Sequence, residues 1–117
     1  MKLHNFNKKE LVAVYKKMVM SRFLDNKQLI MLKQGKSFFH IGASGHEAAQ
    51  MGAALCFDSK KDYAYPYYRD QAFCLGWGVT ARDILLCFLH KDEDPNSGGR
   101  QMPQHWGNKE LNIVSQS

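Results

Sequence analysis

Cysteine is scarce in this chain, and what there is carries no pairing signal. Cys56, Cys74 and Cys87 stand 18 and 13 positions apart with no Cys-x-x-Cys, which argues against a disulfide framework and against a zinc site. Free and mostly buried thiols are expected instead. Long hydrophobic runs are missing too. The longest, Leu11 to Val14 and Ile84 to Leu89, fall far short of the ~20 apolar residues that span a bilayer, so no membrane partner is expected. Met1-Lys2-Leu3-His4-Asn5 shows no apolar stretch followed by small residues, which predicts a cytoplasmic rather than a secreted chain. Internal repeats and low-complexity tracts are also lacking. What remains is 117 residues, 44% hydrophobic and 23% charged, enough for one domain with a core and unlike a disordered segment.

Several chemistries lack their residues. His46-Glu47 has no second histidine one turn on, so metal-dependent hydrolysis is unsupported. No Ser or Cys sits in a nucleophile elbow, and no Asp/Glu pair announces glycoside hydrolysis. Gly98-Gly99 is neither a phosphate-binding loop nor a dinucleotide fingerprint. The net charge of +5 is uneven: residues 1–36 hold nine cations against two anions, residues 37–117 seven against nine. One basic helix therefore sets the charge, and with no recognition motif beside it nucleic acid is not an expected partner.

Helix signals are present. Asn7 with Glu10 forms a capping-box-like start, and Leu11, Val14, Tyr15, Met18, Val19 and Phe23, then Leu29 and Ile30, recur at helical spacing until Gly35. The spacing predicts a helix of about 25 residues, or two kinked near Asp25-Asn26, with its apolar stripe covered. Ser44 and Glu47 predict a second capped helix over Gly45 to Leu55, alanine-rich and suited to close packing. Tyr63 to Pro66 reads as a short strand. Tyr67-Tyr68-Arg69-Asp70 is expected to open a helix ending near Gly76. Thr80 and Asp83 cap another over Ala81 to Leu89. Pro95, Asn96, Ser97, Gly98, Gly99, Pro103 and Gly107 make Lys91 to Asn108 a long loop of the kind that is usually functional. Leu111 to Ser115 reads as a strand beginning, with no partner behind it.

The most informative local feature is Pro66-Tyr67-Tyr68-Arg69-Asp70. A guanidinium, phenol hydroxyls and a helix start make an anion clamp. The competing reading is an Arg69–Asp70 surface pair with packed tyrosines. His105, in a loop with Arg100 and Trp106, is a candidate proton carrier or hydrogen-bond donor to a substrate carboxylate, against the plainer reading of a structural loop histidine.

Taken in order, Ser21-Arg22-Phe23-Leu24-Asp25, Leu32-Lys33-Gln34-Gly35-Lys36, Gly45-His46-Glu47-Ala48-Ala49-Gln50, Pro66-Tyr67-Tyr68-Arg69-Asp70 and Gly99-Arg100-Gln101-Met102-Pro103-Gln104-His105 resemble the N-terminal part of the alpha subunit of thiamine-diphosphate-dependent 2-oxo acid dehydrogenases. The likeness covers about residues 10 to 117. The Gly-Arg-Gln-Met-Pro-x-His run is closer to the branched-chain type than to the pyruvate type, whose loop usually reads Gly-Gly-Ser-Met-His.

The resemblance implies an α/β thiamine-diphosphate-binding fold with a parallel sheet flanked by helices, of which residues 1–117 are a mostly helical N-terminal part, incomplete at its C-terminal end. It implies Tyr68 and Arg69 as cofactor-binding residues, His105 as catalytic, and Phe38, Phe39, Met102 and His105 as the pocket for the substrate side chain. The implied activity is decarboxylation of a branched-chain 2-oxo acid on the cofactor, with transfer of the acyl group to a lipoyl-bearing acyltransferase. A beta subunit, separate or fused, is the implied partner. The family's Gly-Asp-Gly…Asn stretch, which holds Mg2+, does not occur, so the metal ligands are expected beyond residue 117 and the segment alone is expected to be inactive. The alternative is a truncated, non-catalytic paralogue docking a partner through the basic helix.

Overall fold

Asn7 sets where the first helix begins. In the computed structural model, which describes residues 5–115, its side chain accepts from the Glu10 N–H at 3.0 Å, and the Asn7 N–H donates to Glu10 Oε2 at 2.8 Å. This capping box opens α1, Lys8–Lys33, a single helix of 26 residues. Gly35 ends it at φ +70°, with Lys36 N–H donating to Met31 O at 3.0 Å and Gly35 N–H to Leu32 O at 2.9 Å. That pair of bonds is the glycine-terminated stop expected from the sequence.

The face that α1 buries is not the one its hydrophobic pattern predicts. Its buried residues are Ser21, Leu24, Asp25, Gln28 and Met31. Leu11, Tyr15, Phe23 and Ile30 of the expected stripe lie exposed, Phe23 at 71%. Of the polar groups on this inward row only Asp25 meets backbone, accepting from Ala43 N–H at 2.8 Å. Gln71 Nε2 of α3 donates to Ser21 O at 3.0 Å, while Ser21 Oγ and the Gln28 amide are buried without a hydrogen-bond partner among the described residues. A short polar stripe takes the place of an apolar one, and only at Asp25 does it satisfy a loop's backbone.

The second helix, α2, is Glu47–Ala54, shorter than expected and without the predicted capping box. Ser44 Oγ instead donates to Asp25 Oδ2, and the Glu47 carboxylate takes both Arg22 and the Gly45 N–H, the latter at 3.0 Å. Ser44 is drawn away by a buried carboxylate on α1, which no local spacing encodes. Close packing in α2 is confined to its end: a Cβ on Gly76 would lie 2.6 Å from Ala54 Cβ, whereas Ala48, Ala49, Gly52 and Ala53 face out. The third helix, α3, is Gln71–Trp77. It starts one residue after Asp70, so Tyr67 to Asp70 form a turn ahead of it rather than its first turn. The fourth, α4, is Ala81–Phe88, with the Thr80–Asp83 capping box in place.

The two expected strands reduce to bridges. Ala64 pairs in parallel with Ile113, which also pairs antiparallel with Asn108; Ala64 is therefore the partner that Leu111 to Ser115 was expected to lack. Around these bridges Leu24, Cys74, Leu75, Trp77, Val79, Ile84 and Trp106 close the core. Each large apolar side chain so buried contributes on the order of 1.5–3 kcal/mol. Cys74 and Cys87 are buried and Cys56 exposed, all three free. Among the described residues no helix is long and apolar enough to cross a membrane.

Candidate functional site

The turn before α3 and the loop before Ile113 meet through backbone and rings. Asp70 N–H donates to Tyr67 O at 3.0 Å, and Tyr67 N–H donates to Asp70 Oδ2 at 2.8 Å, which folds the turn on itself. Gln50 of α2 braces it from below: Nε2 donates to Arg69 O at 2.9 Å and to Asp70 Oδ1 at 3.2 Å, while Oε1 accepts from Ala72 N–H. The buried Trp106 indole donates to Tyr67 O at 3.0 Å. Rings then meet across the junction at tilted angles of 32° to 54°. Tyr67 lies 4.6 Å from Tyr68, Tyr68 lies 4.5 Å from His105, and His105 lies 6.2 Å from Phe39.

Arg69 sits at the edge of this stack. Its Nε donates to Gly42 O at 2.8 Å, and among the described residues it makes no ion pair. The Arg69–Asp70 pair considered from the sequence is absent, since Asp70 is held by Tyr67 and Gln50. One anchored nitrogen with the remaining fork turned to the surface suits an incoming anion. The turn, not a helix terminus, presents it.

Of the residues singled out in the sequence, Tyr68, His105 and Phe39 come together, and Arg69 adjoins Tyr68. Phe38 goes elsewhere, stacking on His90 at 4.5 Å and 7° between planes. Met102 is 44% exposed, tied to the site through the His105 N–H, which donates to its carbonyl at 3.3 Å.

Sequence reasoning missed a polar node beneath the site. Asp25 Oδ1 accepts from Ala43 N–H and meets His40 Nε2 at 3.1 Å, with the His40 side chain 4% exposed. Burial lowers the His40 value, opposed by the Asp25 charge. Gln104 joins the node from the loop. Its Oε1 accepts from Ile41 N–H at 2.8 Å, and its Nε2 donates to Ile41 O at 3.0 Å. Gln104 has φ +66°, a left-handed conformation that costs a non-glycine residue about 1–2 kcal/mol and is held here by that clasp. The available signal was slight: His40 lies among Phe38, Phe39 and Ile41, but Asp25 is followed by Asn26 and Lys27. Nearby, Arg22 grips both oxygens of Glu47 with two of its nitrogens, Nε to Oε1 at 2.6 Å and Nη2 to Oε2 at 3.0 Å. This contact lowers the Glu47 carboxyl below its ordinary range and raises Arg22. Among the described residues no group of three His, Cys, Asp or Glu side chains is arranged to hold a metal.

A family model described as the dehydrogenase E1 component matches residues 15–117. The chain belongs to the dehydrogenase E1 component family. Within it, the chain is 44% identical over 108 residues to 2-oxoisovalerate dehydrogenase subunit alpha of Bacillus subtilis, covering 92% of this chain and 33% of that protein. It is 30% identical over 112 residues to the mitochondrial 2-oxoisovalerate dehydrogenase subunit alpha of Caenorhabditis elegans, covering 95% and 25%. It is also 34% identical over 77 residues to the pyruvate dehydrogenase E1 component subunit alpha of Staphylococcus aureus, covering 66% and 20%. The chain thus spans about a third or less of the length of the curated relatives it matches. Among the described residues, the turn carrying Arg69 and the loop carrying His105 bring ionic and aromatic groups together.

Proposed function

We propose that this chain is the N-terminal part of a thiamine-diphosphate-dependent 2-oxo acid dehydrogenase alpha subunit that acts on branched-chain substrates. The Arg69 guanidinium carries the reading: it is anchored once, makes no ion pair among the described residues, and stands beside a Tyr68–His105 stack. That donor set fits a diphosphate, which asks for a fork of N–H groups and a neighbouring hydroxyl. Arg69 and Tyr68 would hold the diphosphate end of the cofactor. Bound there, thiamine diphosphate would supply the carbon nucleophile and electron sink for decarboxylation. His105, its ring kept in place by Tyr68 and by an Nδ1 contact of 3.2 Å to Pro103 O, would meet the 2-oxo acid or its proton. Phe39, with Met102 at the margin, would line the side-chain pocket, from which Phe38 is drawn away by His90, and an apolar lining suits a branched substrate.

Mg2+ ligands are assigned to chain outside this segment, and the partners to a beta subunit or fused beta domain and a lipoyl-bearing acyltransferase. The parallel Ala64–Ile113 bridge supports reading residues 1–117 as the start of an α/β domain with a parallel sheet. In the full-length alpha subunit assembled with its beta partner, Arg69→Ala is expected to weaken thiamine diphosphate binding by about 10- to 150-fold, the equivalent of one charge-assisted contact of roughly 1.5–3 kcal/mol. Unchanged affinity by titration calorimetry would refute the assignment.

The exposed apolar stripe of α1, with Tyr15 at 65% and Phe23 at 71%, favours a second reading, a non-catalytic paralogue that docks a partner. Absence of 2-oxo acid turnover by the assembled full-length protein, with assembly intact, would select it.

A further inference from the structure

We propose that His40 is a positioning residue: set between the Asp25 carboxylate and the Gln104 amide, it fixes the loop register that brings the His105 ring onto Tyr68. The inference rests on reading His105 as the histidine that faces substrate. His40 meets three elements. From α1, Asp25 Oδ1 lies 3.1 Å from Nε2. From the loop, Gln104 Nε2 lies 3.5 Å from Nδ1. From α4, Phe88 presents its ring edge-on at 6.0 Å and 88°.

Only one arrangement of protons satisfies these contacts. A carboxylate oxygen only accepts, so Nε2 carries the hydrogen and donates to Asp25. Nδ1 is then left with a lone pair. The Gln104 oxygen is already taken by the Ile41 N–H, so its amide nitrogen faces Nδ1 and donates. The chain of donors runs from Gln104 through His40 to Asp25, and its sense is set by the neutral imidazole. Gln104 immediately precedes His105, holds φ +66° and is 2% exposed. Its amide is clamped by Ile41 on one side and His40 on the other, so losing the His40 contact loosens the residue that precedes His105, and the Tyr68 contact at 4.5 Å is what would open. Because Asp25 also accepts from Ala43 N–H and Ser44 Oγ, the same carboxylate locks the far end of the 37–45 loop, leaving His40 as the adjustable link between α1 and the loop of His105.

Two variants of the full-length alpha subunit, assembled with its beta partner, separate this role from general support. His40→Gln reaches Asp25 with a donor but offers Gln104 no acceptor at the Nδ1 position. His40→Asn restores an acceptor at that position and gives up the reach to Asp25. Crystal structures and steady-state kinetics are read together. For His40→Gln the His105 ring is expected to leave Tyr68 and kcat to fall about tenfold or more, with thiamine diphosphate affinity and the melting temperature near wild type. His40→Asn is expected to keep the stack, with kcat within about threefold of wild type. A stack intact in His40→Gln overturns the proposal whatever its activity, as does loss of the stack in His40→Asn, or a fall of kcat, cofactor affinity and melting temperature in parallel. If the wild-type assembly turns over no 2-oxo acid, the proposed function has failed, and the crystallographic comparison alone still decides whether His40 sets the His105 register.

Discussion

Asp25 offers the sharpest test of how this segment is held together. Among the described residues, its Oδ1 serves both Ala43 N–H and His40 Nε2, while its Oδ2 serves Ser44 Oγ alone. Asp25→Ala strands two buried donors, because Ala43 is 1% and the His40 side chain 4% exposed. Each stranded donor costs about 1–3 kcal/mol, so a local loss of about 2–6 kcal/mol is expected. Ser44 is exposed and turns its hydroxyl to water at little cost. Asp25→Asn is a different perturbation. Its amide oxygen can keep both Oδ1 bonds, and its nitrogen can donate to Ser44 Oγ. The weaker neutral bonds are offset by relief of the buried charge, so about 1 kcal/mol or less is expected. Hydrogen exchange of peptides spanning residues 37–46 in the full-length subunit measures the local opening free energy directly. At the lower bound Asp25→Ala exchanges about thirtyfold faster there, while Asp25→Asn stays near wild type. Equal acceleration in both variants would refute the reasoning, since it would mean that charge rather than acceptor geometry holds the node.

Other expectations follow from single contacts. Gly99→Ala places a Cβ 2.6 Å from the His90 carbonyl at φ +71°; a loss of more than about 2 kcal/mol in the 90–100 loop is expected, and wild-type exchange there would contradict it. Glu47→Gln should loosen α1 from α2 at neutral pH. The lowered Glu47 value means that the wild-type contribution is present above the ordinary carboxylate range and lost as pH falls through the lowered value; a variant difference that grew toward acid pH would be inconsistent. His40, also lowered by burial, stabilises the fold in its neutral form, fully above the ordinary imidazole value and less as pH falls through the lowered one. Protonation there sets two donors, His40 Nδ1–H and the Gln104 amide, against each other, and histidine NMR titration reads the direction. Cys56 is exposed, Cys74 is pushed well up by burial, and Cys87 is pushed up to about 11. Iodoacetamide at neutral pH should therefore label Cys56 first by mass spectrometry, and early labelling of Cys87 would count against its burial.

Local signals were legible where one turn of chain contains both partners and no distant group competes for them. The Asn7–Glu10 and Thr80–Asp83 boxes and the Gly35 stop stand as their spacing predicts, because cap and capped group lie within three residues. The Ser44–Glu47 spacing has the same form and failed, because Asp25 and Arg22, about twenty residues away on α1, compete for those side chains with better partners. The five ordered motifs were likewise legible, and they carried the family. Which face of α1 turns inward was not: the hydrophobic period points to Leu11, Tyr15 and Phe23, and the fold buries Ser21, Asp25 and Gln28.

The sequence by itself determined the capped helices, the long loop from Lys91 to Asn108 and membership of the E1 component family, since these depend on residue types at short or ordered spacings. Only the tertiary structure decided that Arg69 leans on Gly42 rather than Asp70, that Phe38 leaves for His90, and that Asp25, His40 and Gln104 join beneath His105. Those outcomes are settled by competition for hydrogen-bond partners between segments 15 to 64 residues apart, and spacing along the chain carries no record of which of them wins.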